Sequence, residues 1–144
     1  MQLNIQHSLR TYLAAATGLQ VVWIYDGVKL PDVASKPYLT IEQMQNNNDL
    51  LAKGREAVET VYRFQFGLYA DTASNRSRLQ SVVSRIFHFD DIPLIDLTQS
   101  PADVSGYFNT NLTAEVPMAA ESVDAKTTYH HMYFDVEVTE INYR

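Results

Sequence analysis

The chain has 144 residues, with 11 basic and 17 acidic side chains and a formal net charge of −6 at pH 7. A chain of this length is expected to form a single domain, residues 1–144, that buries about two thirds of its unfolded surface. The acidic balance argues against a protein that grips nucleic acid phosphates. The absence of cysteine excludes disulfides, thiolate metal ligands and a thiol nucleophile.

The N-terminal residues do not have the features of a targeting signal. Residues 1–18 lack the basic start and the apolar stretch of a signal peptide, and no run of about eighteen apolar residues occurs in the sequence. We therefore expect a protein that is made in the cytosol and does not cross a membrane.

The first third of the chain predicts one helix and two strands. Residues 3–16 place apolar side chains at helical spacing, and Gly18 is suited to cap that helix. Gln20 to Tyr25 is rich in β-branched and aromatic residues and predicts a strand that ends in a turn at residues 26–27. A second strand is predicted from Tyr38 to Met44.

Two long segments with a period of two, Glu56 to Ala70 and Thr127 to Ile141, are the clearest pattern in the sequence. Each predicts a half-buried strand of roughly fifteen residues, well beyond the usual five or six. The second has an apolar row from Met132 to Val138, and its opposite row, which includes His131 and Tyr133, is expected to meet water or a partner. Strands this long tend to extend past their own domain, so we expect another molecule to pack on the overhang.

The segment from Gln45 to Ala57 is rich in Asn and contains Gly54, and it predicts a loop. Loops of this length are usually functional or mobile. We expect this one to reach an axial neighbour or a channel lumen, and the alternative is a tip without contacts. Its candidate contact residues are polar: Asn46, Asn47, Asn48, Asp49, Lys53 and Arg55.

After Ala70 the period of the pattern changes to that of a helix. Five apolar residues recur at helical spacing, and three arginines lie on or beside the other face. Residues 71–74 offer side chains that cap a helix N-terminus. The apolar set is Leu79, Val82, Val83, Ile86 and Phe87, and the basic set is Arg76, Arg78 and Arg85.

The remaining segments predict a short strand from Asp90 to Asp96, a further strand or surface ribbon within residues 98–117, and an acidic loop over residues 118–126. The order of elements predicts an α+β fold in two layers, with a mainly antiparallel sheet and two helices packed on one face. Strand order does not follow from this pattern.

The search for catalytic and ligand-binding patterns assigns no catalytic residue, cofactor or metal. His130 and His131 point to opposite faces of a strand and cannot chelate one ion as a unit. Asp90, Asp91 and Asp96 lack the spacing of a calcium loop. Glycine-rich phosphate loops, nucleophile elbows and metalloprotease helices are absent.

Four stretches of the chain resemble the tail-completion or tail-terminator proteins of long-tailed bacteriophages. They are residues 37–44, 56–70, 72–87 and 127–138. The similarity includes the Pro37-Tyr38 strand entry, the step Tyr69-Ala70-Asp71 at the end of a long strand, and the helix from Arg78 to Phe87. It covers about two thirds of the chain by our estimate and includes no catalytic signature.

The resemblance implies a structural virion protein rather than an enzyme. Such a protein forms a ring, typically of six copies, between head connector and tail tube, ends tube polymerisation and leaves a channel through which DNA passes. Its partners are other copies of itself, the tail tube protein and the head-completion or connector protein. It is assembled in the host cytoplasm and ends in the neck of the virion, with no cofactor and no membrane.

A ring needs contacts between copies, and charged or polar residues on the predicted surface are our candidates. We expect Arg78 and Arg85 of the second helix to bind carboxylates of a neighbouring subunit, around residues 90, 91 or 124. The candidate interface set is Arg63, Arg78, Arg85, Asp90, Asp91, His131 and Tyr133.

Two other classes of function stay open at the level of sequence. One is a subunit of a different assembly, such as a secretion or contractile apparatus. The other is a small cytosolic ligand-binding or enzymatic α+β domain, which would need convergent polar groups in an apolar cleft.

Overall fold

The computed structural model of the chain describes residues 1–25, 37–51, 57–98, 102–117 and 131–143. The turn predicted at residues 26–27 and the loop predicted at residues 118–126 lie outside these ranges. Within them the chain forms the following elements in order: α1 (Gln2–Thr17), β1 (Val21–Trp23), β2 (Tyr38–Gln43), β3 (Asn47–Leu50), β4 (Ala57–Tyr69), α2 (Ala73–Phe89), β5 (Ile92–Asp96), β6 (Asp103–Phe108), β7 (Asn111–Pro117) and β8 (His131–Tyr143).

The two long strands, β4 and β8, pair with each other over their whole described length. They form one antiparallel ladder of 13 residues each, from Ala57 opposite Tyr143 to Tyr69 opposite His131. Both long strands were predicted from the period of two, and the second runs two residues beyond its predicted end. This ladder is the centre of the sheet.

The remaining strands add to the two outer edges of the ladder. The order across the sheet is β1-β2-β4-β8-β7, and β3 pairs with the other half of the β4 edge that β2 uses. The β1–β2 pair is parallel, and the other described pairs are antiparallel. The segment predicted as a strand or ribbon forms β6 and β7, and β6 pairs with β5 in a separate two-stranded sheet.

The loop predicted from Gln45 to Ala57 is wrong for residues 47–50, which form β3. Gln43 lies opposite Phe64 and Asn47 lies opposite Val61, so the residues from Met44 to Asn46 oppose only Tyr62 and Arg63. This bulge shifts the alternation of faces by one residue and hides the continuing strand from a period-two pattern. Asn is also disfavoured in strands, which reinforced the loop prediction. Lys53 and Arg55 lie outside the described residues.

Each helix has a cap that the sequence predicted. Gly18 caps α1 in the left-handed conformation, with φ of 72°, and Thr72 caps α2 by accepting a hydrogen bond from the Asn75 N–H. Four of the five apolar residues predicted for the inner face of α2 are buried, whereas Val82 lies at the border of that face and is exposed. Of the helices in the described ranges, none is long and apolar enough to cross a membrane.

The core lies between the two helices and one face of the sheet. Side chains from β2, β4 and β8 that share this face pack against Leu9 and Leu13 of α1 and Val83 and Phe87 of α2. The chain therefore has an α+β fold with a mainly antiparallel sheet on which the helices pack. The sheet contributes Leu39, Ile41, Tyr62, Phe64, Phe66, Leu68, Met132, Phe134, Val136 and Val138.

Side-chain hydrogen bonds fasten the small sheet to α1. The Ser8 hydroxyl accepts a bond of 2.8 Å from the Ile95 N–H, and Asn4 Oδ1 accepts one of 3.1 Å from the Leu97 N–H. These two bonds satisfy backbone donors on the side of β5 that faces the helix. The β5–β6 sheet is thereby held beside α1 at a defined position.

Gly67 lies near the C-terminal end of β4, at a point where there is no room for a side chain. A Cβ at this position would lie 2.5 Å from Thr40 Oγ1 and 3.0 Å from Tyr69 Cε2. Thr40 is buried and accepts a hydrogen bond of 3.1 Å from the Gly67 N–H. The absence of a side chain lets neighbouring groups close over the backbone on the face opposite the helices.

We expect Gly67→Ala to lower the free energy of unfolding by about 1 to 3 kcal/mol, because Thr40 or Tyr69 must leave its position. Gly106→Ala is the matched control, since a Cβ at Gly106 in β6 meets nothing within 4 Å. Urea unfolding followed by circular dichroism measures both. Equal stability of the two variants would contradict the packing argument.

Candidate functional site

The face of the sheet that turns away from the helices, called the back face, brings together three of the predicted interface residues. Arg63 projects from β4, and His131 and Tyr133 project from β8, all at positions that alternate with the core row. The sequence predicted these faces strand by strand. The ladder register decides which side chains become neighbours.

One end of the back face carries a stack of aromatic rings. Tyr38, Tyr69 and His131 are register partners on three adjacent strands. The Tyr38 and Tyr69 rings stack at 4.9 Å between centroids, the Tyr69 and His131 rings at 5.2 Å, and Tyr133 meets His131 edge to face at 5.3 Å. We call these four residues the aromatic row.

Tyr38, Tyr69 and His131 of the aromatic row are buried, and Tyr133 is partly exposed. The row with His131 was expected to meet water or a partner; exposure of His131 to water is wrong, and its contact with a partner stays a prediction. Tyr38 is 1% exposed and His131 is 6% exposed. Burial raises the pKa of the Tyr69 hydroxyl far above its ordinary value of 10.0, and the neighbouring Tyr133 hydroxyl raises it further. Burial also raises the pKa of Tyr38. Alternation in the sequence assigns each side chain to one face of the sheet, but it does not show which residues pack over that face.

Beside the aromatic row lies a cleft of about 280 Å³, lined by both charged and apolar residues and called the back cleft. Two cross-strand pairs form its floor. Arg63 Nε lies 3.6 Å from Glu137 Oε1, and Gln65 Nε2 donates a long hydrogen bond of 3.4 Å to Asp135 Oδ1. Arg63 and Glu137 are both partly exposed, so this ion pair contributes little to folding.

Two bulges flank the back cleft and set its shape. On one side the bulge between β2 and β3 places Met44 and Gln45 at the rim, where the Met44 N–H donates to the Arg63 carbonyl at 2.8 Å. On the other side β7 shifts register between Leu112 and Ala114, and the extra residue, Thr113, donates its hydroxyl to the Asp135 carbonyl at 3.1 Å. Bulges of this kind aim side chains away from the regular ladder and often border functional sites.

The charge of the back cleft is negative. Glu42 is the register partner of Gln65 and extends the row of Asp135 across three strands. The described lining of the cleft therefore carries two carboxylates, Asp135 and Glu137, against the guanidinium of Arg63, and Glu42 lies beside the cleft in the same register row as Asp135. Such a site attracts a cationic group. In the part of the chain that the structure describes, no three His, Asp or Glu side chains are placed to hold a metal ion.

The two candidate arginines of α2 lie on the opposite side of the molecule. Arg78 and Arg85 are exposed and form one line along the helix with Val82 and Phe89, at spacings of three and four residues. The Arg85 guanidinium lies 5.6 Å from the centre of the Phe89 ring, and Phe89 is 73% exposed. We call these four residues the α2 stripe.

Asp90 and Asp91, the carboxylates predicted to meet these arginines, have partners in their own chain. The Tyr12 hydroxyl donates a hydrogen bond of 2.6 Å to Asp90 Oδ2, which fastens α1 to the end of α2. The Asn109 amide donates to Asp91 Oδ1. The hydrogen bond to Asp90, followed by burial, raises the pKa of Tyr12. Asp124 and His130 lie outside the described residues.

The polar residues of the predicted loop are placed by β3. Asn46 donates a hydrogen bond of 2.8 Å to Gln2 Oε1 of α1, and Asn48 Oδ1 accepts one of 2.7 Å from Thr60. Asn47 and Asp49 are exposed register partners of Val61 and Glu59. Their predicted contact with an axial neighbour or a lumen stays a prediction.

Sequence reasoning missed several members of the back face: Tyr38, Glu42, Gln65, Tyr69 and Asp135. The alternation in β4 placed Gln65 beside Arg63, and Asp135 was read in the polar row of β8. Nothing in the sequence showed that the two rows share a register. The bulges that complete the cleft carry no signal that a period-two pattern detects.

Comparison with known proteins does not assign the chain to a family. No model of a protein family and no curated protein matches the chain.

The buried aromatic row predicts a loss of stability at alkaline pH. The native state keeps the Tyr69 proton above pH 10.0, whereas an unfolded tyrosine releases it. The unfolded state then binds fewer protons, so the free energy of unfolding falls as pH rises past 10 and is unaffected by this group below it.

We expect Tyr69→Phe to make this fall shallower by up to about 1.4 kcal/mol per pH unit, the value for one proton. Urea unfolding at a series of pH values from neutral to strongly alkaline measures the slope. Tyr107→Phe, at an exposed ring on β6, is the matched control. An unchanged slope in Tyr69→Phe would show that Tyr69 ionises in the native state as it does in the unfolded chain.

Proposed function

We propose that the chain is a structural subunit that assembles with copies of itself into a ring at the head–tail junction of a long-tailed bacteriophage. In this role it ends polymerisation of the tail tube, joins the tail to the head connector and leaves a channel for DNA. The observation that carries the proposal is the far end of the long ladder, called the ribbon tip. It consists of Asn47–Leu50, residues 57–61 and residues 139–143.

The ribbon tip has two strand edges to which no described residue pairs. β7 pairs with β8 only as far as Glu137, and β2 and β1 lie beside the other half of β4. The outer edges of β3 and of residues 139–143 therefore carry unsatisfied backbone groups as far as the described chain shows. Such edges are templates for another strand, and soluble proteins usually shield them.

Apolar side chains at the ribbon tip are also exposed. Leu50 is 62% exposed, and Leu51 and Ile141 are about half exposed. Leu50 and Ile141 project from opposite faces of the tip, since their register partners are Val58 and Glu59. A tip with an exposed apolar side chain on each face and with open edges is suited to insertion into a neighbouring protein of an assembly. In a neck, that neighbour is the tail tube or the connector protein.

The charge of the chain suits passage of DNA through the proposed ring. The formal net charge of −6 makes a lumen lined by this protein repel phosphates, so DNA slides rather than binds. A basic lumen would hold the DNA by counterion release.

A ligand-binding domain is the second candidate, and the back cleft is the observation that favours it. Its volume of about 280 Å³ is just below the range of roughly 300 to 1,000 Å³ that is usual for small-molecule sites. Its lining mixes charged and amide side chains with apolar residues such as Met44. These properties suit single protruding side chains of a protein partner better than a small molecule.

The ribbon tip provides the test. We expect the double variant Leu50→Asp and Ile141→Asp to fold normally, because both side chains are exposed, and to fail in joining tails to heads, because carboxylates at the tip oppose its insertion. The measurement is the yield of joined, tailed particles by electron microscopy when the variant replaces the native protein. Tyr107→Asp is the control, since Tyr107 is also an exposed apolar side chain, 70% exposed, but lies on β6.

Wild-type yields of joined particles from the double variant would contradict the role of the ribbon tip. The wider proposal is tested by the neck density of intact particles. Neck density that cannot accommodate this chain would refute the assignment.

A further inference from the structure

The α2 stripe is a basic and apolar surface whose charges have no partner in the described chain. Neither Arg78 nor Arg85 has a carboxylate oxygen within 4 Å among the described residues. Arg78 acts at longer range on Asp71, whose pKa is lowered mainly by the hydrogen bond from Asn75 and only to a lesser degree by Arg78. The stripe is therefore a solvent-facing cation pair with apolar side chains between and beside the two charges.

The back cleft has the opposite charge and lies on the other side of the molecule. Glu42 is exposed and forms no hydrogen bond or ion pair through its side chain within the described chain, and the Asp135 carboxylate accepts there only the long bond from Gln65. Met44, at the rim, is 41% exposed and offers an apolar contact. Aromatic rings pack favourably against methionine sulfur, and the α2 stripe presents such a ring in Phe89.

We infer that the α2 stripe of one copy docks into the back cleft of the next copy. This contact rests on the proposed function, because it supplies the interface between copies that a ring requires. Arg78 and Arg85 bind Glu42 and Asp135, and Val82 and Phe89 lie against Met44. Bonds between guanidinium groups and carboxylates are the strong charge-assisted kind.

The spacing of the two surfaces agrees. Seven residues along a helix separate Arg78 and Arg85 by about 10 Å. Glu42 and Asp135 are in one register row on strands that are two apart, a separation of about 9.6 Å. Two arginines along the helix therefore reach two carboxylates across the strands when the helix axis lies across the sheet.

The positions of the two surfaces fix the kind of assembly. The α2 stripe lies on the helix layer and the back cleft lies on the opposite face of the sheet. A two-fold dimer cannot satisfy both surfaces at once, because each copy would have to turn both faces toward the same partner. Contacts between unlike surfaces continue from copy to copy and close into a ring when the rotation allows it. The ribbon tip stays free for an axial partner.

The absence of cysteine makes a direct test simple. Two single-cysteine proteins, Val82→Cys and Met44→Cys, are mixed and mildly oxidised, and each substitution leaves the charges of both surfaces intact. We expect a disulfide-linked dimer that contains one copy of each variant. Val82→Cys mixed with Ser105→Cys, at an exposed position on β6, is the matched control. Absence of the mixed dimer, or equal yield in the control, would overturn the inference.

Charge exchange tests the role of the arginines and carboxylates. When Arg78→Glu and Arg85→Glu are added to the Val82→Cys protein, the yield of the mixed dimer should fall by at least about tenfold, because attractive contacts become repulsive. Adding Glu42→Arg with Asp135→Arg on the cleft partner should restore it. Arg76→Glu on α2 and Asp103→Arg on β6 are controls that should leave the yield unchanged. Unchanged yield after reversal of both stripe arginines would overturn the pairing.

The outcomes separate this inference from the proposed function. If the mixed dimer is absent but neck density of intact particles fits a ring of this chain, the copies contact one another through another surface. If the mixed dimer forms and neck density excludes the chain, the contact belongs to a different assembly of the same protein.

Discussion

The antiparallel ladder between β4 and β8 is the constraint on which the rest of the structure depends. It runs without a bulge from Ala57 opposite Tyr143 to Tyr69 opposite His131. Because side chains in a ladder alternate strictly, this one register places the aromatic core residues on the helix side and the pairs Arg63–Glu137 and Gln65–Asp135 on the back face. A slip of one residue would bring the charged rows to the helices and expose the core.

The two bulges of the main sheet lie on either side of this regular ladder. β2 and β3 continue one another through the bulge at Met44–Asn46, and β7 follows the other edge through the bulge at Thr113. A bulge allows an outer strand to change which residues face the ladder while the central strands stay in register. The back cleft is the space that the two bulges leave between them. Its floor belongs to the rigid centre of the sheet and its rim to the irregular edges.

Charge is distributed unevenly over the two layers. The helix layer presents exposed arginines, and the back face carries carboxylates that outnumber its single arginine. Such a distribution does little for the fold, since exposed charges contribute little to stability. It does give the molecule two sides of opposite charge. This charge difference orients approaching proteins and disfavours contacts between sides of the same charge. Asp90 and Asp91 accept hydrogen bonds from Tyr12 and Asn109 and so connect elements within the chain.

Local sequence pattern determined much of the architecture. The period of two defined β4 and the described part of β8, the helical spacing defined α1 and α2, and Gly18 and Thr72 capped them as predicted. These features depend on neighbours within a few residues, so the sequence alone contains the necessary information. The α+β class followed from the order of these elements.

Tertiary structure alone decided the rest. Strand order and register depend on contacts between residues far apart in the chain, such as Arg63 with Glu137 and Tyr69 with His131. The one-residue bulge before β3 removed the period-two signal, so a strand was read as a loop. His131 was read as a surface residue because alternation assigns a face to a side chain, whereas its burial depends on what the completed fold packs over that face.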